Sequence, residues 1–300
     1  MFKIAWHEEY VFPVPDNHKF PMEKYDLLPK QLLHEGTLEH VNFFQPEVID
    51  ETYISAVHSA EYLTRLYNLK LSPREQRITG FVHNEQLIHR EQLIMEGTRR
   101  ACDYALESGF AANIAGGTHH AYADRGEGFC LLNDHAISAK YLLDSCKVNK
   151  VLILDLDVHQ GNGTAEIFAE NEDVFTFSMH GKDNYPLKKE KSDLDVELEL
   201  NCDDKYYLKH LDKSLDEILG RFQPEFVLYQ SGVDVLKSDK LGKLGLTQDG
   251  VKSRDAMVLN FVAGLNVPMV AAMGGGYSKD IKVIVDGHAS LFRQIQRDFF

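Results

Sequence analysis

The sequence predicts a doubly wound α/β fold, in which helices flank a mostly parallel sheet. From residue 110 onward, apolar runs of strand length alternate with amphipathic stretches of helix length. No internal repeat, low-complexity tract or linker rich in Pro, Gly and Ser divides the 300 residues. We therefore expect one domain over residues 1–300.

The elements follow one another in a regular order after a first portion that we interpret as irregular. The run at 151–156 is the clearest strand, and the segment at 196–200 alternates polar and apolar residues as a short strand does. The predicted strands lie at 110–115, 151–156, 174–179, 196–200, 226–230 and 267–272. The predicted helices lie at 134–145, 164–170, 205–219, 247–265 and 279–296.

Composition excludes several classes of function. The net charge of −14 argues against direct binding of nucleic acid, whose phosphates need a basic surface. No apolar run is long enough to cross a bilayer, and the first residues lack the apolar stretch of a secretory signal. The four cysteines form no CxxC pair, which indicates free thiols in a reducing compartment. We expect a cytoplasmic protein without membrane attachment, of undetermined oligomeric state.

Polar residues follow four of the predicted strands, at the point where each strand ends. In doubly wound sheets, ligands bind beyond the carboxyl ends of the strands, so an enzyme of this class should carry its reactive residues there. The four segments are GGTHH at 116–120, DLDVH at 155–159, SGVD at 231–234 and GGGY at 274–277. Their common position predicts a single site at this edge of the sheet.

Asp155, Asp157 and His159 are alternate residues of an extended segment and therefore share a face. An isolated Asp-x-His motif is more often an Asp that caps a helix and a His with a structural role. With Asp234 available from another strand end, we favour a metal site, because a cation stabilises buried carboxylates. Two carboxylates and one imidazole suit zinc first, although ferrous iron, cobalt and manganese also accept such ligands.

His119 and His120 could transfer the protons that amide hydrolysis requires, although two His on a surface loop are a simpler alternative. Tyr277 follows three glycines and could donate a hydrogen bond to a developing oxyanion, or it could be a packed aromatic residue in a turn. Asn162 could bond one of the His or cap the next helix; the two roles are compatible. With a metal that activates water, these residues predict a metal-dependent deacylase.

At this point the sequence resembles the histone deacetylase superfamily, which includes acetylpolyamine amidohydrolases and acetoin-utilisation proteins. The matching motifs are GGTHHA at 116–121, GFC at 128–130, DLDVHQGNG at 155–163, SGVD at 231–234 and GGY at 275–277. The QGNG ending, the compact length and the stretch at 239–242 are most similar to class IV histone deacetylases and their bacterial relatives.

The resemblance implies an arginase/deacetylase fold with an eight-stranded sheet, and it assigns a role to each motif. The implied zinc ligands are Asp157, His159 and Asp234. The implied catalytic residues are His120 as principal base and acid, His119 as its electrostatic assistant, Asp155 and Asn162 as their partners, and Tyr277 as the oxyanion donor. The implied substrate-binding residues are Gly128, Phe129 and Gly275. The implied potassium site comprises Asp155, Asp157, His159, Ser178 and Met179.

The implied activity is zinc-dependent removal of an acyl group from N6-acyl-lysine in proteins or peptides, with ferrous iron or cobalt as alternative metals. Deacetylation of small acylated amines such as acetylpolyamines fits the same motifs, because the metal centre contacts only the amide. A noncatalytic acyl-lysine-binding protein is a third alternative. It is disfavoured because Tyr277 and the three implied ligands are all present.

Overall fold

A computed structural model describes residues 1–16 and 18–300, and within them eight strands form one parallel sheet. The strands are β1 (Lys3–Ala5), β2 (Phe43–Phe44), β3 (Phe110–Asn113), β4 (Val151–Asp155), β5 (Val174–Gly181), β6 (Leu194–Leu198), β7 (Phe226–Gln230) and β8 (Met269–Ala272). Their order across the sheet is β2-β1-β3-β8-β7-β4-β5-β6. The predicted α/β class is confirmed, and every pairing between these strands is parallel.

Helices cover the sheet on both faces. They are α1 (Lys24–His34), α2 (Glu51–Ser55), α3 (Ala60–Tyr67), α4 (Pro73–Thr79), α5 (Glu85–Ser108), α6 (Asp134–Asp144), α7 (Asn162–Ile167), α8 (Asp204–Arg221), α9 (Gln248–Leu265) and α10 (Ile281–Phe299). None of the helices described for residues 1–16 and 18–300 is both long and apolar enough to cross a membrane.

The central strands are buried on both faces, which explains their nearly continuous apolar sequences. In β4, Val151 and Ile153 pack into one hydrophobic cluster, whereas Leu152 and Leu154 pack into the cluster on the opposite face. This alternation follows from the two-residue period of a strand. The sheet therefore separates two cores, and its central strands form a rigid base for the residues that follow them.

The prediction that the first portion of the chain is irregular is wrong. Residues 1–109 contain β1 and β2 at the edge of the sheet and the helices α1 to α5, of which α5 is the longest described. Asn84 caps the start of α5 by accepting a hydrogen bond from the Leu87 amide, and Gly109 ends it at a φ of +88°. The predicted strand at 196–200 is also displaced, because β6 spans Leu194–Leu198.

A buried ion pair on α9 connects this helix to the ends of β4 and β7. Arg254 Nε lies 3.0 Å from Asp255 Oδ1, and both side chains are at most 1% exposed. Arg254 Nη1 also donates hydrogen bonds to the carbonyl oxygens of Gly232, at 2.5 Å, and Leu156, at 3.4 Å. The guanidinium therefore holds the two backbone segments that lead towards Asp157 and Asp234.

We expect Arg254→Met to lower the free energy of unfolding by about 3–5 kcal/mol, because it leaves the Asp255 carboxylate buried without its cation. Urea denaturation followed by circular dichroism measures the change. Arg297→Met is the matched control, since Arg297 and Asp298 form the same sequence pair at an exposed position and their loss should change stability little. Equal destabilisation by the two substitutions would contradict the role given to Arg254.

Candidate active site

The four polar segments predicted to converge do follow neighbouring strands in the middle of the sheet. They come after β3, β4, β7 and β8, which occupy adjacent places in the order β3-β8-β7-β4. Asp155 of β4 pairs in register with Gln230 of β7, so the two segments that follow start at the same level. The strand order therefore places all four loops at one edge, as expected for a doubly wound sheet.

Asp157, His159 and Asp234 come together as three potential metal ligands. One ligand atom from each residue lies within 4.8 Å of the others, and all three residues are buried. His159 Nδ1 lies 3.0 Å from Asp157 Oδ1 and 3.2 Å from Asp234 Oδ2. Among residues 1–16 and 18–300, this is the one group of His, Cys, Asp and Glu side chains with such a geometry.

The surroundings of these three residues fit a divalent cation. Asp234 is 0% exposed, and apart from the contact with His159 Nδ1 its Oδ2 has no polar partner in the described part of the chain. Burial, together with the negative charge of Asp157, raises the pKa of Asp234 to about 7. A cation bound here would give Oδ2 a partner and would compensate the buried negative charge.

Backbone amides hold two of the carboxylates in place. The Val158 amide donates to Asp234 Oδ1 at 3.0 Å, and the His159 amide donates to Asp157 Oδ1 at 2.9 Å. Gly275 lies directly against the Asp234 carboxylate at a φ of +61°, where a side chain would collide with the carboxylate oxygens. The implied substrate-binding residue Gly275 therefore also leaves room for a ligand residue.

His119 is paired with Asp155, which lies at the end of β4. His119 Nδ1 is 2.6 Å from Asp155 Oδ2, and both side chains are at most 5% exposed. Burial alone would lower the pKa of His119, but the charges of Asp155 and Asp157 outweigh it and raise the pKa to about 9. The carboxylate thus fixes the ring of His119 and favours its protonated form.

His120 is paired with a neutral amide instead. His120 Nδ1 lies 2.5 Å from Asn162 Oδ1, and burial together with the charge of His119 lowers the pKa of His120 well below its usual value. Gly161 occupies the N-cap position of α7, and the side chain of Asn162 makes no capping bond. Of the two roles predicted for Asn162, the contact with a His is therefore the one observed.

Tyr277 lies at the same edge, with its ring centroid 6.5 Å from that of His159. Burial raises the pKa of Tyr277 well above its usual value, so its phenol stays protonated and able to donate. The Tyr277 amide donates to Asp239 Oδ2 at 2.6 Å, while Asp239 Oδ1 accepts from the amides of Leu241 and Gly242. Asp239 therefore anchors the loop that carries Tyr277.

A narrow passage leads from these residues to the surface. Gly128 lies against His120 at a φ of +54°, and a Cβ there would be only 2.6 Å from His120 Cδ2. The ring of Phe129 packs 6.0 Å from that of Tyr277, and the ring of Tyr185 stands perpendicular to His120 at 5.1 Å. The passage opens into a surface pocket of about 360 Å³. Its walls are aromatic, and its floor is formed by the polar residues described above.

Lys24 reaches the site from α1 and is 2% exposed. Its Nζ donates a hydrogen bond to the carbonyl oxygen of Gly275 and lies 5.8 Å from the centre of the Tyr277 ring. Burial lowers the pKa of Lys24 to about 8, although the nearby carboxylate of Asp234 opposes this shift. The segment before Tyr277 is thus held from both sides, by Lys24 and by Asp239.

The residues of the implied potassium site lie on two paired strands and the turn that follows. Asp155 of β4 pairs in register with Ser178 of β5, and Met179 is the next residue of β5. Ser178 Oγ lies 2.9 Å from Nδ1 of His180. The parallel pairing thus brings Ser178 and Met179 beside the segment of Asp155, Asp157 and His159.

Sequence reasoning missed several residues that contact the site. Gln230 at the end of β7 donates from Nε2 to the Gly117 carbonyl oxygen at 2.9 Å and lies against Gly274. Asp239 belongs to the family-like stretch at 239–242, which assigns it no role, and the sequence around Glu127 and Tyr185 indicates no role for either residue. Gln230 follows a clear strand, so its position gave a signal. The other three lie on loops, where the sequence alone gives no pairing.

The sequence is similar to proteins of one known family. The family model of the histone deacetylase domain, which describes sequences, matches residues 18–291. The chain belongs to the histone deacetylase family. It is 40% identical over 299 residues to an uncharacterized protein of Picosynechococcus sp., with coverage of 100% of this chain and 99% of that protein. It is 33% identical over 290 residues to histone deacetylase 2 of Arabidopsis thaliana, with coverage of 92% and 74%.

A solved structure supports the fold of this family member. The crystal structure of an HDAC homolog complexed with SAHA aligns with a TM-score of 0.87 at 22% identity, over 99% of this chain and 84% of that chain. Membership of the superfamily and the eight-stranded fold, both expected from the motifs, are confirmed. The protein is thus a hydrolase of the histone deacetylase family, and the similarity to class IV stays a prediction.

Proposed function

We propose that this histone deacetylase-family protein is a zinc-dependent amidohydrolase that removes an acyl group from N6-acyl-lysine in proteins or peptides. The observation that carries the proposal is the convergence of Asp157, His159 and Asp234, of which Asp157 and His159 line the floor of a passage with aromatic walls. Two carboxylates and an imidazole leave coordination positions for water and substrate. The proposal treats residues 1–300 as a single catalytic domain.

The chain's own side chains supply most of the proposed mechanism. When bound, the metal supplies Lewis-acid polarisation of the acyl carbonyl and lowers the pKa of a water molecule. His120 takes the proton from the attacking water and delivers one to the leaving amine, while His119, held by Asp155, contributes positive charge. Tyr277 donates its phenolic hydrogen bond to the oxygen on which negative charge develops.

The remaining predicted residues complete the proposed site. Gly128, Phe129 and Gly275 line the path of the acyl-lysine, because they border the passage and leave it open. We also propose that the segment around Asp155 and Ser178 holds a potassium ion, which would support the loop of the metal ligands without entering the reaction.

The mouth of the passage favours acyl-lysine over acylated polyamines. Lys19 and Lys243 line the surface pocket together with a single acidic residue, Asp183. A polyamine carries further ammonium groups, which this mouth does not attract, whereas the side chain of lysine in a peptide presents only methylene groups to the aromatic walls.

A panel of acetyl- to long-chain acyl-lysine peptides and acetylated polyamines tests the proposal, with protein loaded with zinc, ferrous iron or cobalt. We expect kcat/KM for the best peptide to exceed that for acetylspermidine by at least about tenfold. A chelator should abolish the activity, and zinc should restore it. Preference for the polyamine would establish the second function, and peptide binding without hydrolysis in any metal form would indicate a noncatalytic binding protein.

A further inference from the structure

The amide of Asn162 contacts different groups on its two sides. On one side Oδ1 faces His120 Nδ1 at 2.5 Å. On the other side Nδ2 donates to the Tyr122 hydroxyl at 2.9 Å and lies 3.5 Å from Glu127 Oε1. If the amide were reversed, its NH₂ group would face His120, and Nδ1 would have to accept a hydrogen bond instead of donating one. The orientation of Asn162 therefore decides which tautomer His120 adopts.

Two carboxylates favour the observed orientation. A carboxylate offers only accepting oxygens, so that of Glu127 attracts the NH₂ side of Asn162 and repels the oxygen side. Its side chain is 17% exposed, accepts a hydrogen bond from the Tyr185 phenol, and has its Oε2 3.8 Å from Arg125 Nε. The second carboxylate, Glu190, accepts from the Tyr122 hydroxyl at 3.2 Å. The Tyr122 oxygen is thereby left to accept from Asn162.

We propose that Glu127, with Glu190 acting through Tyr122, fixes the amide of Asn162 and so keeps His120 in the tautomer that carries its proton on Nδ1. In that tautomer Nε2 has a free lone pair and can accept a proton. Glu127 is a positioning residue, because it acts through Asn162 and reaches no reacting atom. The inference rests on the proposed function, in which His120 transfers the proton.

An orienting partner such as Glu127 is needed because residue 162 carries an amide. A carboxylate at position 162 would accept on both oxygens and would need no orientation, whereas an amide has one accepting and one donating side. The same acid also links two walls of the passage, because it accepts from Tyr185 and precedes Gly128 and Phe129. A test must separate this structural link from the effect on His120.

A double-substitution cycle makes that separation. Glu127→Leu removes the acceptor and should lower kcat at least about tenfold, because His120 then samples the tautomer that cannot accept on Nε2. Asn162→Asp alone should also lower kcat, because it places two carboxylates next to each other. The double variant should have a higher kcat than either single variant. The carboxylate that replaces the amide needs no orientation, and the neighbouring charge of Glu127 is gone. It keeps the leucine, so its recovery cannot come from repaired packing.

The ¹⁵N chemical shifts of the His120 ring in metal-free protein report the tautomer directly and do not depend on activity. We expect the Nδ1–H form in the wild type, a mixture in Glu127→Leu, and the Nδ1–H form again in the double variant. Tyr185→Phe, which breaks only the link between the walls, should raise KM and leave the tautomer unchanged. Glu199→Gln, an exposed acid paired with Lys182, is the control.

The inference is overturned if Glu127→Leu keeps the Nδ1–H form and a kcat within about twofold of the wild type. A double variant no better than the weaker single variant would also overturn it. Thermal unfolding of each variant separates these results from a loss of folding. If the wild type hydrolyses no acyl amide, the proposed function fails, while the ring shifts still decide the tautomer.

Discussion

Replacement of Asp157 by Asn should abolish both metal binding and deacylation. Asp157 lies 3.0 Å from His159 Nδ1 and is 2% exposed, so an amide in its place removes a negative charge from the centre of the ligand group. Loss of a partner that only orients a ligand typically weakens metal affinity about 10- to 100-fold. Loss of a ligand should exceed that range.

Metal content by plasma mass spectrometry and Kd by competition with a chelator measure this effect. Asp173→Asn, at an exposed position before β5, controls for the change of charge and should bind metal normally. Similar melting temperatures of the two metal-free variants would show that the fold is retained. If Asp157→Asn bound one zinc per chain with unchanged Kd, Asp157 would not be a ligand.

Tyr277→Phe should lower kcat about 100- to 1,000-fold, the usual effect of losing one oxyanion donor. The substitution removes only the hydroxyl, and the ring contacts with Phe20 and Phe129 can remain. Metal content should stay at the wild-type value, because the phenol lies outside the group of Asp157, His159 and Asp234. The combination of normal metal content and low kcat would separate this role from that of a ligand.

Steady-state kinetics on the best acyl-lysine peptide provide the measurement. Tyr206→Phe is the control, since Tyr206 is 45% exposed on α8 and should leave kcat unchanged. A kcat for Tyr277→Phe within about twofold of the wild type would remove Tyr277 from the proposed mechanism.

The central strands could be predicted because they are apolar, short and bounded by polar loops. The first third of the chain could not, since β1 has three residues and β2 has two, too few to show a period. Helix α5 was hidden for another reason. Its buried face includes Arg90, Glu91 and Thr98, and a reading of apolar periodicity assigns such residues to the surface.

The candidate site likewise contains residues that could be predicted from the sequence and residues that could not. The rule that ligands bind beyond strand ends was enough to select Asp157, Asp234 and the pair of His residues. Glu127 and Asp239 lie on loops whose approach to the site depends on how distant segments pack. Their contacts span 35 residues to Asn162 and 38 residues to Tyr277, and one sequence contains no signal for such pairings.

The pairing of Asp155 with Gln230 has a consequence for how this protein could diversify. The segments that carry the potential ligands follow directly after two neighbouring strands, which are buried between two cores. Tyr185, Lys19 and Lys243, in contrast, belong to exposed surface segments. Substitutions, insertions and deletions accumulate most readily in such surface segments. Substitutions at the mouth could therefore change what enters the passage while the group of potential metal ligands stays the same.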